Sequence, residues 1–147
     1  MKHPARAKGP QRRRTQQADK SRTLREYPLQ KACADYLHWL EKVSGLFTFY
    51  AVPNGGGRSK ADAGQLKAMG VRAGVPDLVI LFYGGRSLYV ELKYKGGSAS
   101  ADQREFHKHL RRLGFAVEVI EAERAGDAIG ALADLLRRYG IREATVQ

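Results

Sequence analysis

Residues 74–93 read Gly-Val-Pro-Asp-Leu-Val-Ile-Leu-Phe-Tyr-Gly-Gly-Arg-Ser-Leu-Tyr-Val-Glu-Leu-Lys. Leu78 to Phe82 is an unbroken apolar run, the pattern of a strand buried on both faces. Gly84 and Gly85 make a turn, and Ser87 to Tyr94 then alternates as a strand does with one face on a core. Glu91 and Lys93 are two apart on that second strand, so they project from one face. Asp77 stands at the mouth of the first strand, directly after Pro76. The turn decides whether Asp77 meets Glu91. A two-residue loop at Gly84-Gly85 pairs Tyr83 with Arg86 and sets Asp77 opposite Leu92, on the other face. A three-residue loop, Tyr83-Gly84-Gly85, pairs Phe82 with Arg86 and sets Asp77 opposite Glu91, with carboxylates about 5 Å apart. Three-residue hairpins often end in a left-handed residue, a conformation that Gly85 takes without strain.

Two like charges directly opposite each other are destabilising unless something sits between them. A hard divalent cation such as Mg²⁺ resolves the conflict, because it takes oxygen ligands and keeps several waters. Lys93 would then hold or help activate a water aimed at a phosphate. The plainer alternative is a solvated polar face for Glu91 and Lys93, with Asp77 simply starting a strand.

Outward from this hairpin the chain alternates helix and strand. Leu29, Cys33, Tyr36, Leu37 and Leu40 recur with helical spacing ahead of Gly45, and Pro28 suits the first turn of that helix. Leu46 to Val52 reads as a strand closed by Pro53, and a short helix is expected from about Lys60 to Met69. After the hairpin, Phe106, Leu110 and Leu113 mark a helix closed by Gly114, and Phe115 to Ile120 a strand. Ile129, Leu132, Leu135, Leu136 and Tyr139 give a last helix stopped by Gly140. The expected order is αβαββαβα, an α/β domain whose mixed four-stranded sheet is flanked by helices.

The 147 residues suffice for one domain plus tails. Of the net charge of +11, residues 1–25 carry +8: nine Lys+Arg against Asp19. Leu24 is the one large apolar residue there beyond Met1, so the stretch is expected to be a flexible basic arm before a folded domain at 26–147. Arg12, Arg13 and Arg14 within it suit a salt-sensitive tether to nucleic acid, and a solubilising tail is the alternative. The single cysteine, Cys33, excludes an intrachain disulfide and a cysteine-built zinc site. No apolar run approaches the roughly 20 residues that span a bilayer, and no secretory signal follows the basic N-terminus. A cytoplasmic, nucleoid-associated protein of a bacterial or phage-infected cell is expected, with no membrane partner.

Asn54-Gly55-Gly56-Gly57-Arg58 lacks the Gly-Lys-Ser/Thr ending of a P-loop, so no nucleotide cofactor is expected. His107 and His109 are two apart on a helix and face different ways, which argues against a metal shared between them. Ser100-x-x-Gln103 has the form of a capping box.

Taken together, these motifs resemble a known family. Gly74-Val75-Pro76-Asp77 followed by Glu91-Leu92-Lys93 is similar to the PD-(D/E)XK nuclease signature. Ala51-Val52-Pro53-Asn54-Gly55-Gly56, Leu66-Lys67-Ala68-Met69-Gly70-Val71-Arg72, and Ser100 with Gln103 resemble its VRR-NUC branch, over about Glu26 to Ile129. The name-giving Val-Arg-Arg stands here as Val71-Arg72-Ala73. The resemblance implies a restriction-endonuclease-like core and a DNA endonuclease dependent on Mg²⁺, with Mn²⁺ able to substitute. Asp77 and Glu91 would be metal ligands, with Glu26 on the first helix completing the set. Lys93 would position the water, and Gln103 would border the site. Asn54, Arg58, Lys60, Lys67 and Arg72 would track a DNA backbone. Stand-alone phage and bacterial relatives resemble homodimeric enzymes acting on branched DNA such as four-way junctions. Nonspecific, nicking or flap cleavage, and a non-catalytic DNA-binding module, are the alternatives.

Overall fold

The computed structural model describes residues 10–53 and 60–142. The elements are α1 (Pro10–Ser44), β1 (Phe47–Ala51), α2 (Lys60–Ala68), β2 (Leu78–Phe82), β3 (Arg86–Tyr94), α3 (Ala101–Arg112), β4 (Ala116–Ala122) and α4 (Ala125–Arg138). Order and type follow the sequence expectation. The four strands form one sheet in the order β1-β2-β3-β4, antiparallel except for the parallel β3–β4 pair. The parallel pair follows from α3, which carries the chain back to the same end of the sheet between β3 and β4.

Alternation along the strands separates two faces. Leu78, Ile80 and Phe82 of β2 join Leu88, Val90 and Leu92 of β3 and Ile120 of β4 in the core. There they meet Leu29, Cys33, Leu37 and Leu40 of α1, and Leu132, Leu135 and Leu136 of α4. Cys33 is a free thiol in this core, and burial pushes its pKa up to about 11. Helices α1 and α4 pack on each other over this face, while α3 lies along β4 on the opposite one. Glu91 and Lys93 are out of phase with Val90 and Leu92, so they point to the side of α3.

One expected boundary moves. The long helix starts at Pro10, not near Pro28, and Pro28 lies in its interior. Residues 10–25 therefore belong to α1, whose start the sequence placed near Pro28, and residues 1–9 lie outside the described residues. The segment is rich in Arg and Gln, both good helix formers. It forms a helix on propensity and continuity with the packed part, without an apolar stripe to announce it. Among the described residues no helix is long and apolar enough to cross a membrane.

Candidate active site

The hairpin takes the three-residue register. Phe82 pairs with Arg86 and Leu78 with Val90, so Asp77, one residue before β2, falls opposite Glu91. Gly84 and Gly85 both have positive φ, at 85° and 80°, and close the turn without the strain a side chain would bring. Asp77 is anchored from two strands. Its Oδ2 accepts from the Leu92 N–H at 2.8 Å, and its backbone carbonyl accepts from the Val52 N–H at 2.8 Å. Gly74 sets the approach to this point. Its φ is +80°, and a Cβ there would sit 2.3 Å from the Asp102 carbonyl oxygen. Only glycine lets the loop before β2 press against the start of α3.

Glu91 is fully buried at 0% exposure. Its Oε1 accepts from the Lys93 ammonium and from Gln103 Nε2, the latter at 2.5 Å. Burial pushes its carboxyl pKa up to about 7; the nearby Asp77 and Glu26 charges push the same way, and Lys93 pulls against them. Lys93, 3% exposed, stands between two carboxylates, bonded to Glu91 and 3.8 Å from Glu26 Oε1. Glu26 reaches it from α1, one turn before the buried Leu29.

Gln103 is hydrogen-bonded at both ends of its side chain. Its Oε1 accepts from the Ser100 N–H at 2.9 Å while Ser100 Oγ accepts from the Gln103 N–H at 3.2 Å, a complete capping box. The other end of the same amide reaches Glu91. His107, which the sequence set only against His109, is 3% exposed and sits behind Glu91, its Nε2 3.6 Å from Oε2. Burial lowers its pKa, helped by the Arg111 and Lys93 charges. The usable signal was its place four residues after Gln103, on the same helix face.

The structure thus brings Asp77, Glu91, Lys93, Gln103 and Glu26 together. Of the residues expected to meet DNA, Arg72 and Lys67 have described side chains. Arg72 is exposed and lies over the Phe106 ring of α3 at 5.0 Å. Lys67 is exposed in the last turn of α2, and Lys60 begins that helix. Arg12, Arg13 and Arg14 fall in the first turns of α1, and Asn54 and Arg58 lie outside the described residues.

A hard cation fits the donor set on chemical grounds. Two carboxylates of adjacent strands share a face, and Glu91 Oε2 is buried with no hydrogen-bond partner. Among the described residues no group of three or more His, Cys, Asp or Glu side chains forms a ligand cage. One or two carboxylates with waters and a phosphate is the set Mg²⁺ takes, so the pair suffices, and Glu26 enters as a partner of Lys93.

No curated protein matches the chain. Among solved structures, a chain described as a VRR_NUC domain protein is similar at 22% identity and a TM-score of 0.54, covering 77% of this chain and 88% of that one. A second, described as a VRR_NUC domain, is 20% identical with a TM-score of 0.50 and covers 78% and 97%. At these identities the likeness speaks for the fold. The family model for the VRR-NUC domain matches residues 14–124, starting inside the polar part of α1 and running past β4. With most of the chain matched and the fold in agreement, the chain belongs to the VRR-NUC family and is a nuclease-family domain.

Proposed function

We propose that this domain hydrolyses DNA phosphodiester bonds with a divalent cation, Mg²⁺ or in its place Mn²⁺, held by Asp77 and Glu91. The observation that carries the reading is the register that sets these two carboxylates opposite each other with the buried Lys93 on the same face. When bound, the cation supplies Lewis-acid polarisation of a phosphoryl oxygen and a lowered pKa for coordinated water. The chain's own residues do the rest. The Leu92 N–H holds Asp77 through Oδ2 and so fixes where its carboxylate stands. Gln103 and Lys93 hold Glu91 through Oε1. Lys93 has three N–H donors, so contact with Glu91 and Glu26 leaves one to orient the attacking water or a phosphate oxygen. Water attacks phosphorus, one bridging P–O bond breaks, and the products are a free hydroxyl and a phosphate monoester.

The finer reading is a homodimer acting on branched DNA. One chain holds a single such site, and symmetric cuts in two strands need two copies related by a twofold axis. The test is cleavage of labelled four-way junction, flap and linear duplex DNA by wild type and Asp77→Asn, with Mg²⁺, Mn²⁺ or EDTA. Paired junction cuts lost with EDTA and with the substitution support the reading, alongside a dimer by light scattering. Binding of all three DNAs without cutting points to a DNA-binding module; cutting by Asp77→Asn at the wild-type rate removes Asp77 from the site.

A further inference from the structure

Glu91 has two oxygens, and α3 presents a polar group to each. Gln103 Nε2 donates to Oε1 at 2.5 Å. One turn further along the helix, His107 Nε2 stands 3.6 Å from Oε2. Both of these atoms are buried, and neither has a hydrogen-bond partner. Buried polar groups without partners are rare in folded proteins, and each asks for a reason. Two of them facing each other supply one.

We propose that His107 is a positioning residue for Glu91: its Nε2–H donates to Oε2, so that α3 grips the carboxylate by both oxygens. The spacing suits this, because residues four apart lie above one another on a helix face. The separation is about 0.6 Å longer than an ordinary N–H···O bond, and bonds of this kind are often long until the reacting complex forms. A carboxylate oxygen has two lone pairs, so donation from His107 leaves Oε2 able to bind a cation. Held on Oε1 alone, the carboxylate would be free to turn about its terminal bond; held on both, it keeps one plane. The inference rests on the reading of Glu91 as a cation ligand, where such supporting bonds typically carry 10–100-fold in metal affinity.

His107→Leu and His107→Gln separate this role from packing. Leucine fills similar space with no donor, whereas the glutamine Nε2 reaches the same place as the histidine Nε2. Calorimetric titration with Mg²⁺ should show affinity about tenfold or more weaker in His107→Leu, with no fall in melting temperature, and close to wild type in His107→Gln. In the metal-free protein, ¹H–¹⁵N spectra should show a proton on His107 Nε2 whose resonance moves in Glu91→Gln. Wild-type Mg²⁺ affinity in His107→Leu, or a proton on Nδ1 instead, overturns the proposal. If wild type binds no Mg²⁺ at all, the nuclease reading fails separately, and the position of the proton still decides whether His107 holds Glu91.

Discussion

Gln103 joins the start of α3 to Glu91 through one amide: Oε1 accepts from the Ser100 N–H at 2.9 Å, and Nε2 donates to Glu91 Oε1 at 2.5 Å. The cap fixes which end of the amide faces the carboxylate. Two substitutions pull the roles apart. Ser100→Ala removes the hydroxyl acceptor of the cap and should cost about 1 kcal/mol of stability with cleavage nearly intact. Gln103→Ala also removes a donor from Glu91, so cleavage should fall about 10–100-fold. Thermal melts and single-turnover rates on the same DNA decide it; equal activity in the two variants would confine Gln103 to the cap.

Glu91 should make the metal-free protein pH-sensitive. Its carboxyl pKa is about 7 in the fold, through burial and the Asp77 and Glu26 charges, against an ordinary value of 4.5. The folded state therefore holds the proton more tightly than the unfolded chain. The stability this provides is complete below about pH 4.5 and is lost as pH rises through about 7, a loss of roughly 3 kcal/mol for this group. His107 works in the opposite direction, since its lowered pKa costs stability on acidification. Subtracting Glu91→Gln from wild type isolates the first effect. In denaturant titrations without metal, wild type should lose stability relative to Glu91→Gln between pH 5 and pH 8, levelling above that. A constant difference would mean that the carboxylate is ionised throughout.

How far these relationships were readable beforehand depended on what kind of signal each residue leaves. Glu91 and Lys93 announce a shared face by their spacing, but whether Asp77 joins them turned on one residue of loop length. Two adjacent glycines permit either loop, and the choice is visible only in the pairing of Phe82 with Arg86. The polar beginning of α1 leaves no periodic trace because nothing apolar repeats along residues 10–25. Pro28, a good first-turn residue, then suggested a start that the chain does not use. His107 was compared with His109 across two residues, when the informative partner was Gln103, four residues away on the face that meets Glu91.

Gly74 should resist substitution for a reason unrelated to chemistry. At φ +80°, with the Asp102 carbonyl 2.3 Å from where a Cβ would be, alanine must displace either the loop or the first turn of α3. The expected loss is about 1–3 kcal/mol from overpacking, with added backbone strain. Because that turn also carries Gln103, cleavage should fall in Gly74→Ala even where the protein remains fully folded. Circular dichroism melts with rate measurements well below the melting temperature check this. A stable, fully active Gly74→Ala would show that the contact does not position the site.

Arg72 offers a test of where DNA runs. It is exposed and lies over the ring of Phe106, on the helix that also bears Gln103 and His107. If it meets the phosphate backbone, Arg72→Ala should weaken binding of junction and duplex alike and reduce the slope of log affinity against log salt by about one. Cleavage at saturating protein should change little, because no reacting group is touched. Removing the charge and keeping the stem, as in Arg72→Met, should reproduce the salt effect while retaining contact with Phe106. Should Arg72→Met bind with the wild-type salt slope, the arginine serves the packing of α3, and the DNA path lies on another face.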